Sequence, residues 1–451
     1  MLSGHADANA ELRRSFGWRT VAAAGGMASA LLLSIIIVRF LGPHEAATFF
    51  AILAALSIGP LVGRLGLGPN VIRLMPAEAD RQARRRIAGA HLHATILLSC
   101  LSAPVVALIG CSGILGHSNF LPVFVITAVL IAVDSTRLML SDIFAATGRV
   151  TASVATMHYI RNLLALPCVA VVLLWVNKPS LVVVLGAYLA ASILQFSVAL
   201  VPARHDIAFW RFTGGVSTLR TAIGQGTQLF ALEFSTFMLM QGTIWLATAA
   251  FSPVAATQYG IAVTLAFQVT VLEGMSSLAI TPPAARLWAA GRKEQVVRML
   301  SNAATLSTVV VIIVVGLLAV LGGFVIDIAY GSSMRPAATM LLILAVSGIA
   351  QACFAVNMTM LIVSGHIAAT SRSALLVLSV ALPCAVAAAW LSGPTALAVV
   401  TSFSVSAMSI CQWLTARKIF GYAPRAHYHV VRAARELLER ADASPDVETV
   451  P

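Results

Sequence analysis

Long apolar stretches, separated by shorter polar connections, dominate this 451-residue chain. Each approaches or exceeds the roughly 20 residues that an α-helix needs to cross the ~30 Å hydrocarbon core of a bilayer. Because lipid offers no hydrogen-bond partners to the backbone, only helices or closed barrels cross it, and the sequence does not support sheets. The predicted spans are residues 18–39, 47–68, 89–113, 120–145, 152–176, 180–202, 222–250, 254–280, 302–326, 335–362, 373–391 and 395–416.

The composition excludes an ordinary soluble domain. Hydrophobic residues make up 59% of the chain, charged residues 10%, and the mean hydropathy is +0.91, whereas soluble proteins average about 45–50% apolar and 25% charged residues. The six cysteines lie in or beside the spans without a CxxC pair, which favours a packing role and predicts no metal, redox site or cofactor. We therefore expect an all-α, polytopic membrane protein of about 12 transmembrane helices.

The positive charges predict the orientation of the chain. The net charge is +12. Most of the basic residues fall in connections that lie on the same side of the membrane as the N-terminus. Only Lys178 and Arg335 lie in the opposite loops, with Arg39 at their border. The positive-inside rule therefore places both termini in the cytoplasm. Because the charge distribution follows topology, it predicts no nucleic-acid partner.

A repeat relates the two halves of the chain. In the first copy, residues 39–43 (RFLGP) end in a proline, Phe49 follows this proline by six residues, and a basic cluster lies at 84–86. About 210 residues later, residues 251–253 (FSP) precede Tyr259 at the same spacing. If each half holds an even number of crossings, both enter the bilayer in the same orientation, as in carriers with parallel repeats. The repeat predicts two six-helix lobes around a gated cleft.

The connections between spans complete this organisation. The predicted outer connections are too short to hold a catalytic domain. In the tail, apolar residues recur at helical spacing over 430–441, so this segment is either an amphipathic helix on the membrane surface or part of a solvated tail. The predicted domains are a cytoplasmic N-terminus (1–17), an N-terminal six-helix lobe (18–203), a cytoplasmic inter-lobe linker (204–221), a C-terminal six-helix lobe (222–416) and a cytoplasmic basic tail (417–451).

Six ionisable residues lie well inside the predicted spans. Placing one such residue against lipid costs roughly 3 kcal/mol on insertion scales, so placing all six there would cost about 18 kcal/mol. This cost exceeds the ~5–15 kcal/mol that typically stabilises a folded protein. These side chains must face protein or a water-filled cavity. They are Arg64, Asp134, Arg137, Arg161, Glu233 and Glu273.

Two interpretations of these charges remain open. Asp134 and Arg137 lie three residues apart and are able to form a structural ion pair on one helix. Alternatively, the arginines bind a phosphate or pyrophosphate through their guanidinium groups. Arg161 is the stronger candidate for this role, because His158 and Asn162 place further hydrogen-bonding groups beside it.

The carboxylates and Arg64 raise the same question. Arg64 lies in a run rich in Gly and Pro (59–69), which indicates a loosened helix beside a cavity, or an arginine that extends to the inner interface. Glu233, near the middle of the seventh span, is the main candidate to bind H⁺ or Na⁺. Asp134 and Glu273 are weaker candidates for the same role. No catalytic or metal-binding motif is present, so we predict that the chain is not an enzyme.

Short motifs along residues 15–420 resemble the bacterial polysaccharide transporters. These are the O-antigen and exopolysaccharide flippases of the multidrug/oligosaccharidyl-lipid/polysaccharide exporter superfamily. The motifs are residues 38–43 (VRFLGP), 49–50 (FF), 65–68 (LGLG), 72–73 (IR), 146–149 (ATGR), Arg161, 284–291 (AARLWAAG), 330–331 (YG) and 364–365 (SG).

The resemblance implies alternating access by twelve to fourteen helices in the bacterial inner membrane. The expected cargo is an undecaprenyl-pyrophosphate-linked oligosaccharide, moved to the outer leaflet for surface polysaccharide synthesis, with polymerase and export machinery as partners. The family often has an acidic residue where Arg64 stands and another in the seventh span near Thr243, and this chain departs from the family at both places. The alternatives are an ion-coupled multidrug or organic-cation antiporter and, less favoured, a membrane polymerase or glycosyltransferase.

Overall fold

A computed structural model describes residues 3–78, 80–176, 179–204, 207 and 216–432, with side chains from residue 21 onward except at 73, 77, 150, 216–223, 225, 269–279 and 282. All regular structure in these ranges is helical. The α-helices are α1 (Ser3–Arg64), α2 (Leu67–Ala77), α3 (Arg81–Gly110), α4 (Phe120–Ala146), α5 (Val150–Ala155), α6 (His158–Trp175), α7 (Leu181–Ala203), α8 (Val216–Phe237), α9 (Thr243–Ala250), α10 (Pro253–Ala289), α11 (Lys293–Tyr330), α12 (Ala337–Phe354), α13 (Val356–Val363), α14 (Ile367–Leu391) and α15 (Pro394–Phe420).

Ten of the helical segments within the described ranges are long and apolar enough to cross a membrane. The first, Val21–Arg64, covers most of the first two predicted spans. It consists of two helices joined at Gly42, whose backbone angles (φ 79°, ψ 172°) are not helical. The other predicted spans also fall on helices, including residues 254–280 within α10. The prediction of an all-α, polytopic membrane protein is confirmed.

Contacts divide the chain into two compact units. The first contains residues 1–261 and 329–334, and the second contains residues 262–328 and 335–451. This division lies downstream of the predicted linker at 204–221, much of which is outside the described ranges. The assignment of helices to two six-helix lobes therefore stays a prediction.

Helix α4 is the central helix of the first unit. It packs against α1, α3, α5 and α7, and 56% of its most apolar window is buried, the largest share among the ten candidate spans. In contrast, Leu97, Leu101 and Val105 form an exposed stripe along one face of α3. Because an apolar stripe of this kind is stable in lipid rather than in water, α3 is placed at the periphery of the unit and α4 in its interior.

Two glycines allow α1 to approach α4 closely. A Cβ on Gly59 would come within 2.6 Å of the Ile131 side chain, and a Cβ on Gly63 within 2.7 Å of Ser135 Oγ. Small residues four apart on one helix commonly mediate such packing in membranes. The run that predicted a loosened helix is thus helical to Arg64, and the backbone breaks only after it.

The two copies of the repeated border motif meet in the first unit. Six residues after each proline, Phe49 and Tyr259 are both buried, and Thr257 Oγ1 donates a hydrogen bond of 2.6 Å to the carbonyl oxygen of Pro43. The equal spacing in the sequence therefore corresponds to two aromatic side chains with the same burial, beside a direct contact between the motifs.

Helix α3 begins with a side-chain cap. Asp80 accepts hydrogen bonds from the backbone N–H groups of Gln82 and Ala83, each at 3.0 Å, which satisfies two donors that a helix start otherwise leaves unpaired. These bonds hold the pKa of Asp80 below its ordinary value, because they favour the ionised carboxylate. The cap fixes the point at which the basic segment 81–86 joins the membrane helix.

In the second unit, α15 packs against α12, α13 and α14. The segment after α15 folds back onto this unit, where Asn357 Nδ2 donates to the carbonyl oxygen of Pro424 at 2.9 Å and the N–H of His427 donates to Thr305 Oγ1 at 3.0 Å. The predicted amphipathic helix at 430–441 lies largely outside the described residues.

Candidate functional site

Helix α4 is also the centre of the ionic interactions. Asp134 and Asp142 are separated by eight residues on this helix, a rise of about 12 Å. Each of them forms an ion pair with an arginine from a different helix, Asp134 with Arg161 of α6 and Asp142 with Arg64 of α1. Five of the six predicted intramembrane charges, all except Glu273, thus fall into two clusters.

The Asp134 cluster consists of Asp134, Arg137 and Arg161. Arg137 donates to Asp134 Oδ1 through Nε at 3.2 Å and Nη2 at 3.1 Å, while Arg161 Nη1 donates to Oδ2. The side chains of Arg137 and Asp134 are 0% and 1% exposed. With both arginines and the carboxylate ionised, this cluster carries one net positive charge inside the bundle.

Arg137 is held entirely by the protein. Its third donor, Nη1, binds the carbonyl oxygen of Thr156, which lies in the break between α5 and α6. The local pairing with Asp134 that the sequence allows is therefore present. Because Arg137 is fully buried and its Nε, Nη1 and Nη2 atoms all donate internally, it links α4 to the α5–α6 break.

Arg161 is less completely satisfied. Its Nη2 atom makes a long 3.4 Å hydrogen bond to Asn162 Oδ1, its buried Nε has no partner among the described residues, and its guanidinium lies 5.8 Å from the ring centroid of Tyr188. His158, one turn earlier on α6, is exposed and within electrostatic range of Arg161. The structure thus brings the predicted group of Arg161, His158 and Asn162 together.

The Arg64 cluster consists of Arg64, Asp142 and Glu233. Arg64 Nη1 lies 2.6 Å from Asp142 Oδ2, and the two side chains are 20% and 21% exposed. Arg64 Nε also donates to the carbonyl oxygen of Pro60 at 3.2 Å. The exposed side chain of Glu233 on α8 is within electrostatic range of both, so this cluster carries one net negative charge when both carboxylates are ionised.

A backbone break brings the Arg64 cluster together. Leu65 has φ 40° and Gly66 has φ 77°, a left-handed region that favours glycine. A Cβ on Gly66 would lie 2.4 Å from the carbonyl oxygen of Gly226, so α8 crosses the break at backbone contact. Glu233 follows Gly226 by seven residues, about two helical turns, which places it on the same face of α8.

Gly68 makes room for the carboxylate of this cluster. A Cβ at this position would lie 2.1 Å from Asp142 Oδ2 and 3.3 Å from Arg64 Nη1. Since any side chain would displace the carboxylate, the second glycine of the LGLG run is necessary for the ion pair in this geometry. The two glycines of the motif therefore have different roles: Gly66 allows the left-handed backbone, and Gly68 leaves room for the carboxylate of Asp142.

Asp142 is the site residue that the sequence interpretation missed. It lies three residues before the end of the predicted fourth span, where a carboxylate is commonly able to reach the interface, and its partner Arg64 is 78 residues away. The available signal was its spacing of eight residues from Asp134, since positions i and i+8 fall on one side of a helix. The side chain of the predicted candidate Glu273 lies outside the described residues.

Comparisons with known proteins identify the fold. No family model matches the chain, and no curated protein matches its sequence. Among solved structures, an inward-facing multidrug resistance MATE family transporter of the MOP superfamily matches with TM-score 0.66 and 14% identity, covering 94% of this chain and 96% of the other. The lipid II flippase MurJ, in an inward closed conformation, matches with TM-score 0.67 and 10% identity, covering 95% and 93%.

A mutant of the MATE transporter VcmN from Vibrio cholerae matches with TM-score 0.62 and 15% identity, covering 91% of this chain and 98% of that one. At these identities the similarity concerns the fold alone. Each match extends over nearly the whole of both chains. The chain therefore has the polytopic fold common to these MATE transporters and the MurJ flippase.

Proposed function

We propose that this protein is a flippase that moves an undecaprenyl-pyrophosphate-linked oligosaccharide across the bacterial inner membrane by alternating access. The observation that carries this proposal is the Asp134 cluster, which holds a net positive charge and an incompletely paired arginine inside a transporter fold. The sequence resemblance to polysaccharide flippases supports the same cargo. Membrane lipids and, at a later step, polysaccharide polymerase and export machinery are the proposed partners.

Arg161 is proposed to bind the pyrophosphate. An anionic oxygen is able to accept from its unpartnered Nε and to replace the long bond that Nη2 makes to Asn162. Charge-assisted hydrogen bonds of this kind are roughly twice as strong as neutral ones. His158 and Asn162, on the same turn of α6, supply further polar contacts to the head group. The cargo would thus bind the Nε–Nη2 edge of the guanidinium, while Asp134 keeps its hydrogen bond to Nη1.

Arg137 and Asp134 are proposed to position Arg161 rather than to contact the cargo. Arg137 is fully buried and binds both Asp134 and the Thr156 carbonyl. Asp134 in turn holds Arg161 through Oδ2. When the pyrophosphate engages Arg161, the charge of Asp134 remains compensated by Arg137, so cargo binding does not leave an isolated buried carboxylate.

The Arg64 cluster is proposed to couple transport to an ion. Arg64 neutralises only one of the carboxylates of Asp142 and Glu233, and the second attracts H⁺ or Na⁺. We assign the coupling role to Glu233, with Asp142 as the carboxylate that holds Arg64. Glu273 keeps its candidate role on sequence grounds.

A cation antiporter is the second candidate function. Two carboxylates that share one arginine favour it, because an organic cation would interact with the net negative charge of the Arg64 cluster. In that case Glu233 contacts the transported molecule and Arg161 has a structural role. The two functions therefore make opposite predictions for substitutions in the two clusters.

The decisive experiment combines deletion of the gene with complementation by variants. Deletion is expected to trap lipid-linked oligosaccharide on the inner leaflet and to remove surface polysaccharide. Arg161→Ala, expressed at the wild-type level, should fail to restore export. Arg292→Gln, which changes an exposed arginine outside both clusters, serves as the matched control and should restore it.

The opposite result identifies the antiporter. Deletion would then increase sensitivity to cationic drugs without changing surface polysaccharide, and Glu233→Gln rather than Arg161→Ala would fail to restore resistance. If Arg161→Ala, expressed at the normal level, fully restores export, Arg161 has no role in the mechanism and the flippase proposal as stated is contradicted.

A further inference from the structure

An apolar groove lies on the first unit, beside the break between α5 and α6. It has a volume of about 330 Å³, within the range of cavities that hold drug-sized ligands. Helices α4, α5, α6 and α7 all contribute to its wall. The residues that define its course are Phe144, Ala152, Ile160, Leu194, Val198 and Pro202.

The wall of this groove is almost entirely apolar, because its two polar side chains turn their donors to the backbone. Gln195 Oε1 is buried without a partner among the described residues. Gln195 Nε2 donates to the carbonyl oxygens of Ala155 at 2.7 Å and Met157 at 3.1 Å. The Thr156 hydroxyl donates to the carbonyl oxygens of Ala152 and Ser153. The groove therefore presents carbon rather than hydrogen-bonding groups, and it suits a hydrocarbon chain.

One side of the groove continues onto a surface suited to lipid. Leu194, Val198 and Val201 follow one face of α7 and are 54%, 63% and 58% exposed. In a membrane protein, such a stripe contacts acyl chains rather than water. A lipid chain in the bilayer would therefore reach the groove from the side without crossing the aqueous phase.

Arginines surround the end of the groove at Pro202. Arg149 Nη1 donates to the carbonyl oxygen of Pro202 at 3.3 Å. Arg85 Nη2 donates to the carbonyl oxygens of Arg204 and Ile207, each at 3.3 Å, and the Arg204 side chain is exposed. No carboxylate from the described part of the chain lines the groove. The positive-inside rule assigns this end to the cytoplasmic surface.

We propose that this groove binds an anionic phospholipid of the cytoplasmic leaflet, with an acyl chain along α7 and the phosphate at Arg149 and Arg204. Charge complementarity selects this occupant over a neutral lipid, because basic groups between helices on the cytoplasmic side attract anionic head groups. The arginines are separated from the hydrocarbon by the length of the groove, as the two ends of a phospholipid are. The site does not depend on which cargo the protein transports.

The test measures lipid retention by native mass spectrometry of the full chain. The protein is reconstituted with equal amounts of phosphatidylglycerol and phosphatidylcholine and released from detergent. The wild type should retain phosphatidylglycerol preferentially. Since one arginine near an anionic surface contributes about a fivefold change in affinity, Arg204→Gln should reduce the preference about fivefold and the addition of Arg149→Gln should abolish it. Arg292→Gln, outside the groove, should leave it unchanged.

A second variant tests the groove itself. Ala152→Phe places a ring in the apolar channel and should reduce retention of both lipids, while thermal unfolding confirms that the variant is folded. An unchanged preference in the Arg149/Arg204 double variant would overturn the proposal. It would also be overturned if an added polyisoprenyl phosphate displaced phosphatidylglycerol at much lower concentration, because the groove would then hold the tail of the cargo.

Discussion

Replacement of Asp134 by Asn gives the clearest test of the Asp134 cluster. The substitution preserves size but removes the only negative charge between Arg137 and Arg161. Arg137 is 0% exposed, so water cannot replace the lost charge. An asparagine oxygen is still able to accept from Arg137, and the Nη1 bond to the Thr156 carbonyl is unaffected, but neither contact carries a compensating negative charge.

The magnitude follows from this burial. Removing one partner of a buried ion pair costs about 3–5 kcal/mol, because the remaining charge is uncompensated. This is a large share of the ~5–15 kcal/mol that stabilises a typical domain. The comparison pair is Asp327–Arg335, which are 3.8 Å apart with the arginine side chain 73% exposed. Exposed pairs contribute about 0–1 kcal/mol, so Asp327→Asn should change stability little.

The assay is the free energy of unfolding in mixed detergent micelles. Asp134→Asn should lower it by several kcal/mol more than Asp327→Asn. The double variant Asp134→Leu/Arg137→Met removes both charges and leaves the cluster's net charge unchanged, so it should cost less than Asp134→Asn alone. Its remaining cost comes from the Thr156 carbonyl, which loses its donor at about 1–3 kcal/mol, and from Arg161, which also loses its ion pair with Asp134. Equal stabilities of Asp134→Asn and Asp327→Asn would refute the reasoning.

Three further predictions concern packing and capping. Gly226→Ala should impair stability and transport, since its Cβ would lie 2.8 Å from the Gly66 carbonyl group. Gly224→Ala, whose Cβ meets nothing within 4 Å, should be tolerated. Unfolding and transport assays measure both effects. Asp80→Ala should lower the thermal midpoint at neutral pH. Because the folded-state pKa of Asp80 is depressed, the difference from wild type should begin to shrink below about pH 4, the unfolded-state value, and disappear once the pH falls through the lower folded-state pKa. Trp245→Phe should cost about 0.5–1.5 kcal/mol in free energy of unfolding, through loss of its 2.9 Å hydrogen bond to a carbonyl of α1.

The membrane spans were predictable because hydropathy and length are sufficient constraints in lipid. Interruptions within them were not. The seventh predicted span contains a π-helical turn at Met238–Gly242, and the fifth is broken at 156–157. The second break is stabilised by Arg137, which contacts the Thr156 carbonyl from another helix. Such a contact depends on tertiary packing and leaves no local pattern in the sequence.

The candidate site was predictable only in part for the same reason. The grouping of Arg161 with Asn162 follows from helical spacing, and the Asp134–Arg137 pair from a separation of three residues. The Arg64–Asp142 pair joins residues 78 positions apart, which no periodicity indicates. The run at 59–69 indicated a loosened helix. Its first part, up to Arg64, is helical and Gly59 packs closely against α4, while the backbone breaks within the run, at Leu65 and Gly66.

The different burial of the two ion pairs has a mechanical consequence. Moving α6 away from α4 requires separation of Arg161 from Asp134, which are only 8% and 1% exposed, and would leave charges that water does not reach. Moving α1 away from α4 at its inner end separates Arg64 from Asp142, each about one-fifth exposed, where water is able to solvate both. The first separation therefore costs more than the second. Helices α4 and α6 should move together, and local rearrangement should begin at the Arg64–Asp142 pair, beside the glycine break that already interrupts the backbone.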